Sequence, residues 1–481
     1  MTEPFHARPP VVPPAVRPAA TAALVAGIGR RLPGLRLLVD PTDRESYRRD
    51  ETSYAPAGLP GAVALPTTTG EVAELVRLAG EHGVPVVPRG AGTGLSGGAT
   101  GIDGGLTIAL TRMDRVLDID RGDLVAVTQP GIVNATLKAS VAEHGLFYPP
   151  DPASYELCTI GGNLGTNAGG LCCVKYGQTR EAVLGLEVVL ADGSVIRTGG
   201  RAVKDVAGYA LTQLFVGSQG TLGIVTEATL RLRPAPPPRT TMLVFFPSLA
   251  AAGSAVAGLA VSGLLPVTLE LMDRATIAAV DDWQELGLDR EAEAMLMIES
   301  DLPAAAAAEE LAAAERICAA AGSTSMVRAA DAQEADWLRQ ARRMALRALE
   351  RYGVVHMEDV GVPRARVMDL LLAIDDAARR HGVETATFGH AGDGNLHPNF
   401  VFRRDASGAL PAGAEEALAA VQADVYAAAL ALGGTVTAEH GIGTTRREWL
   451  VRQRGEGAVG VMRAIKAALD PAGIMNPGKV L

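Results

Sequence analysis

The residues best suited to chemistry lie in two short segments that hold three of the eight histidines. Residues 388–400 read FGHAGDGNLHPNF and carry His390 and His397, and Ala438-Glu439-His440-Gly441 follows further on. Two imidazoles and the Glu439 carboxylate make a set that binds a divalent cation and leaves coordination positions for substrate or water. The alternative is a group of polar residues in glycine-rich turns, each histidine bonded to backbone. The joint pattern, packed among Gly389, Gly392, Gly394, Gly441 and Gly443, favours the metal set. In extended backbone, adjacent side chains point to opposite sides, so Glu439 can face a metal while His440 faces a substrate. A cation nearby would keep His440 neutral, as a general base must be.

Arg339, Arg342 and Arg343 cluster in a helical stretch, where Arg339 and Arg342 share a face. A guanidinium fork suits a substrate carboxylate, and a solvated basic helix face is the alternative. Residues 88–99, PRGAGTGLSGGA, contain Gly90, Gly92, Gly94, Gly97 and Gly98 and follow an apolar run, Val84-Pro85-Val86-Val87. Such a loop is either turn punctuation or a concavity whose amides cradle an anion such as a diphosphate. No Gly-Lys-Ser/Thr follows and no helix opens at Gly97, so neither the P-loop nor the Rossmann fingerprint is present. Asn163, Thr166 and Asn167 sit in a second glycine-dense stretch, as donors to phosphate or ring carbonyls or as turn residues.

These residues need a sizeable scaffold. The chain has 481 residues, enough for two or three domains. It is 48% hydrophobic and 20% charged, with a net charge of −10, and no basic stripe points to nucleic acid or anionic lipid. Cys158, Cys172, Cys173 and Cys318 form no C-x-x-C pair, so no iron–sulfur or zinc-ribbon set is encoded, and the thiols fit a reducing cytoplasm. No signal-peptide pattern opens the chain, and its first twenty residues read as a loose Pro/Ala-rich arm.

Residues 241–269 are uncharged and long enough to span a bilayer, but Pro and Gly punctuate them. A strand, a small-residue helix and a second strand fit better. A threonine-capped helix is expected over residues 69–82, with strands at 84–87, 106–110 and 125–128 and a helix at 132–144. An Asp192-Gly193 hairpin joins strands 183–190 and 195–198. The segment 233–239, RPAPPPR, is the best domain joint. Beyond it come a helix over 334–351, strands at 354–360 and 385–388, a helix over 414–432, a strand at 435–438 and a last helix from 457.

The ordered motifs PRGAGTGLSGGA, PPDPASYELCTIGGNLGTNAGG, KYGQTREAVLGLEVVLADG, KDVAGYALTQLFVGSQGTLGIVT, GHAGDGNLHPNF, EHGIG and NPGKVL resemble the FAD-linked oxidases of the vanillyl-alcohol-oxidase superfamily. Within it the chain is most similar to glycolate oxidase D-subunits and to D-lactate and D-2-hydroxyglutarate dehydrogenases. The resemblance spans residues 40–481. It implies an α+β fold, with a two-part FAD-binding domain of the PCMH (vanillyl-alcohol oxidase) type, a ferredoxin-like α+β cap and a C-terminal helical segment. The expected division is an arm and helix over 1–39, the FAD-binding domain over 40–235, a cap or substrate domain over 236–432, and 433–481 completing the site.

The resemblance assigns non-covalent FAD to Pro88, Arg89, Gly90, Ala91, Gly92, Thr93, Ser96 and Gly97 in the glycine loop. Asp151, Thr159, Gly162, Asn163, Thr166, Ala168, Gly169, Gly223 and Val225 line the rest, and Asn476 reaches back from the tail. It gives His390, His397 and Glu439 a divalent metal, zinc in many relatives, makes His440 the base, and sets Arg342 on the substrate carboxylate, with Arg339 or Arg343 as substitutes. The turn at 217–220 more usually has an acid where this chain has Gln219, so position 219 is assigned no role. Leu346 and Met357 are apolar where hydroxyglutarate enzymes hold a second carboxylate, which favours a small or apolar substrate.

The implied reaction is oxidation of a D-2-hydroxy acid to the 2-oxo acid. Electrons then pass to a quinone, an electron-transfer flavoprotein or a separate iron–sulfur subunit. Location would be cytoplasmic, with the acceptor able to hold the protein at the inner face of the membrane, and a homodimer is compatible. The rival readings are a non-catalytic flavin-binding subunit of a glycolate oxidase complex and a flavin-free metal hydrolase.

Overall fold

A computed structural model describes residues 16–481, apart from Ser53 and Ala406. Most of the arm expected over the first twenty residues therefore lies outside the described residues. The chain forms two compact units. One contains residues 16–169, Gln178–Ala235 and Glu439–Leu481, and the other contains Gly170–Gly177 and Pro236–Ala438.

The first unit holds a four-stranded sheet of Arg36–Leu38, Ala62–Leu65, Leu106–Ala109 and Val86–Arg89, in that order. The last three are parallel neighbours and the first is antiparallel. Helix Thr69–His82 packs on it because Val72, Leu75, Val76 and Ala79 recur at helical spacing and are buried. Thr68 caps that helix: its hydroxyl accepts from the Glu71 amide at 3.2 Å, and Glu71 reaches back to the amide of Thr68. Thr68→Ala should cost about 1 kcal/mol of this unit's stability, read as a lower urea midpoint by circular dichroism.

A five-stranded antiparallel sheet completes the unit, in the order Val116–Asp120, Val125–Thr128, Ile224–Arg231, Val183–Val189, Val195–Gly199. Ile224–Arg231 alternates between buried and half-buried residues, the signature of a strand with two unlike faces. The glycine-dense stretch after Cys158 is partly helical, over Ile160–Thr166, capped by Thr159 and ended by Asn167 at φ 55°. Its glycines conceal the helix from a propensity reading.

The second unit is built on an eight-stranded sheet. The uncharged stretch folds as strand Thr240–Phe246, helix Leu249–Val261 and strand Thr268–Asp273, and no helix among the described residues is long and apolar enough to cross a membrane. Helices Arg274–Gln284, Ala332–Arg343 and Ala345–Glu350 cover the sheet face that carries Met272, Met295, Met297 and Phe388.

Four local expectations change. The helix expected over 334–351 is two, broken at Met344. The strand expected over 354–360 is Val354–Met357 and Val360–Gly361, interrupted at Glu358 and Asp359. Residues 435–438 make one bridge, Thr435 to Gly361, rather than a strand. The glycine-rich histidine segment is a hairpin, Glu384–His390 against Asn395–Phe402. Gly394, at φ 87°, makes its turn, and Pro398 lies inside the second strand, where proline argues against one.

Candidate functional site

In the second unit the hairpin register sets the histidines side by side. Phe388 faces His397 directly, and His390 lies two residues beyond Phe388, so all three share one face. The His390 and His397 ring centroids are 5.3 Å apart, and both side chains are buried. The neighbouring strand pairs Leu271 with Gly389 and Met272 with Phe388. Continued by one residue, that register brings Glu270 opposite His390, and its Oε1 lies 2.6 Å from His390 Nδ1.

Helix Ala332–Arg343 lowers Arg342 onto the same face. The guanidinium is 4.5 Å from the centroid of the Phe388 ring, and its Nη2 lies 2.5 Å from Glu270 Oε2. Its Nε has no acceptor among the described residues, although the side chain is buried. Arg339, one turn earlier, is committed to Glu299, which accepts from its Nε and Nη2. The paired guanidinium charges hold the Glu299 carboxyl below its ordinary value, against the upward push of burial. Arg342 thus keeps a donor to spare where Arg339 does not. Arg343 is half-buried on the same helix.

Met357 pairs with Asn399 and Val355 with Val401, two and four residues past His397, so both belong to the histidine face. With Leu346 they pack against the apolar cluster containing Phe388, which borders the polar group with hydrocarbon. Asp359 sits at the break between the two short strands. Its Oδ2 accepts from Thr437 Oγ1 at 2.6 Å and from the Ala438 amide at 2.9 Å, and its Oδ1 is 3.9 Å from His397 Nδ1. It thus fixes the residue that precedes Glu439 in the chain.

In the first unit the glycine loop leaves strand Val86–Arg89, with Pro88 and Arg89 in the strand itself. The amides of Gly90, Ala91, Gly92, Thr93, Gly94 and Leu95 donate to no acceptor among the described residues. Consecutive free amides in a glycine loop are what a diphosphate cradle requires. A Cβ on Gly90 would stand 2.2 Å from Thr159 Oγ1, so only glycine fits there. Gly97 has φ 76° and the same closeness to Thr444 Oγ1.

Arg89 serves the loop as a strap: its guanidinium donates to the carbonyls of Ala99 and Arg49. Burial lowers its pKa, and the Asp50 carboxylate opposes that. Asn163 is buried, with its amide used by Asn134 and Cys158. Thr159 accepts from the Gly162 amide, and Thr166 donates to the Gly162 carbonyl. Asp151 is buried, Ala168 bonds Thr179, Gly169 ends this stretch of the unit, and Gly223 and Val225 flank the start of strand Ile224–Arg231.

The turn bearing His440 is held from the same loop. Ser96 Oγ donates to the His440 carbonyl at 3.0 Å, and the Thr444 amide donates to the Ser96 carbonyl at 2.8 Å. Gln219, unassigned from sequence, is the tie: its Nε2 donates to Ser96 Oγ and its Oε1 accepts from the Gly443 amide at 2.8 Å. An amide does both, whereas a carboxylate only accepts. Asn476 in turn donates to the carbonyls of Gln219 and Gly98. Gln219→Leu should destabilise this unit by about 2 kcal/mol, because a buried donor loses its acceptor, measured by urea unfolding.

Sequence reading also missed Glu270 and Asp359. The available signal was an acid inside an otherwise apolar strand pattern, Leu269-Glu270-Leu271, and another at the end of Val354-Val355.

Comparison with known proteins identifies the family. The profile for FAD linked oxidases, C-terminal domain, matches residues 235–480, and that for an FAD binding domain matches 60–199. The glycolate oxidase subunit GlcD of Bacillus subtilis is 42% identical over 426 residues, covering 88% of this chain and 89% of its own. GlcD of Escherichia coli K12 is 35% identical, covering 95% and 91%. A D-lactate dehydrogenase of Archaeoglobus fulgidus is 34% identical, covering 91% and 96%. Among solved structures, 4-ethylphenol oxidase from Gulosibacter chungangensis superposes with a TM-score of 0.78 at 19% identity, covering 98% of each chain. p-Cresol methylhydroxylase gives 0.78 at 17%, covering 96% of each. At these identities the two structures speak to the fold, which is α+β of the PCMH type.

Proposed function

The chain belongs to the FAD-linked oxidases, and on that premise we propose that it oxidises a D-2-hydroxy acid of the glycolate or D-lactate type to the 2-oxo acid. The observation that carries the reading is one sheet face bearing Glu270, His390, Phe388 and His397, with Arg342 against it and Val355 and Met357 at its border.

His390, His397 and Glu439 would hold a divalent metal, and two imidazoles with a carboxylate suit zinc. The buried imidazole pair, with Glu270 beside one Nδ1, fits such a group. Bound there, the metal would supply Lewis acidity. The amides of Gly90 to Leu95 would hold FAD non-covalently, and it would supply the hydride acceptor.

The chain's own groups do the rest. Arg342 offers its uncommitted Nε to the substrate carboxylate while Glu270 keeps the guanidinium in place. His440 removes the hydroxyl proton at a ring nitrogen. Leu346, Val355 and Met357 offer hydrocarbon where a second carboxylate would need a partner, which favours short or apolar side chains. Relatives named as subunits fit an acceptor on another chain: a quinone, an electron-transfer flavoprotein or an iron–sulfur subunit.

The test mixes the flavin-loaded protein anaerobically with glycolate, D- and L-lactate and D-2-hydroxyglutarate. Flavin absorbance at its visible maximum should fall with glycolate or D-lactate and fall far more slowly with D-2-hydroxyglutarate. Failure of every 2-hydroxy acid to bleach it would overturn the reading.

A further inference from the structure

We propose that Glu270 is a positioning residue that prepares His390 as a metal ligand while anchoring Arg342, so that one carboxylate serves both metal and substrate. The proposal rests on the metal reading above and deepens it.

Glu270 sits in strand Thr268–Asp273, whose six residues are all buried, and it is itself 1% exposed. A carboxylate so placed is sustained by charged or donating partners. Its two oxygens face different partners. Oε1 lies 2.6 Å from His390 Nδ1, and Oε2 lies 2.5 Å from Arg342 Nη2.

The first contact selects a tautomer. A carboxylate beside Nδ1 keeps the ring proton there and leaves the lone pair on Nε2, the nitrogen that then serves as ligand. It also fixes the ring plane, and a ligand held in place before the metal arrives binds it more tightly.

The second contact keeps Arg342 over Phe388 and balances a guanidinium that is 4% exposed. The next pair along the same helix is of another kind. Arg339 and Glu299 meet by several bonds, and Glu299 also accepts from Thr241 and Arg239, with no imidazole in the group. Glu299 is a structural carboxylate, whereas Glu270 joins two groups of unlike chemistry.

The experiment separates positioning from structure. Glu270→Ala alone strands the Arg342 charge and can fail to fold, so the comparison is made in an Arg342→Met background that removes it. Zinc affinity of the full-length, flavin-loaded protein is measured by competition with a chromophoric chelator, for Arg342→Met and for Glu270→Ala/Arg342→Met. The double variant should bind zinc about 10–100-fold more weakly than the single one, with FAD content unchanged. Glu270→Gln, which keeps an oxygen facing His390 Nδ1–H, should restore most of the loss in the same background. Equal zinc affinity with and without Glu270 overturns this proposal alone. If the wild-type chain takes up no zinc, the metal reading falls and the proposal falls with it.

Discussion

Replacing His440 with alanine should slow flavin reduction by the best 2-hydroxy acid about 10²–10⁴-fold, with FAD and zinc content unchanged. The expectation follows from how the residue is mounted. Its carbonyl is bonded by Ser96, and the Gly443 amide three residues on is bonded by Gln219, so the turn is pinned on both sides through backbone groups. Both bonds are to backbone atoms, so they survive removal of the imidazole. Its Nε2 is 4.0 Å from Glu439 Oε1. Stopped-flow reduction under anaerobic conditions reads the step directly. Near-normal reduction by every hydroxy acid would show that the proton leaves by another route.

On the proposed metal reading, removing zinc should have the second large effect. Dialysis against a strong chelator should abolish hydroxy-acid oxidation while the protein stays yellow, and added zinc should restore it. His397→Ala should hold less than about a tenth of a zinc ion per chain after the same dialysis, since a three-ligand site does not survive on two. The backbone at this position is secured without the ring: Asn399 Nδ2 donates to the His397 carbonyl at 2.7 Å. Loss of metal with native circular dichroism would therefore report the ligand and not the fold. A chelated protein that oxidises substrate at its original rate would exclude the metal from the reaction.

Legibility of this protein in its sequence follows the range of the interactions. Local rules recovered a threonine cap on the helix at 69–82, the Asp192-Gly193 turn and the strand–helix–strand over the uncharged stretch, because capping, turn chemistry and punctuation act within a few residues. The histidine hairpin was concealed by Gly389, Gly394 and Pro398, which locally argue against strand and are supported here by pairing across the sheet. Glu270 and Asp359 could not be assigned roles by spacing. Their partners, His390 and Thr437, lie far along the chain and meet them only through register and through a break between strands. Gln219 shows a different limit. Family habit at that position expects an acid, yet the donor-and-acceptor character of the amide gives the residue its use.

The tail also sets a timetable. Asn476 supports the glycine loop at Gly98 across 378 residues of chain, and Met475 bridges Val86 beside it. At ribosomal speeds of about 5–20 residues per second, the loop emerges roughly 20–75 s before its prop. Throughout that interval the whole second unit is being made. A nascent chain therefore carries the loop on its Arg89, Thr52 and Asp50 bonds, without the Asn476 and Met475 contacts, for most of its own synthesis.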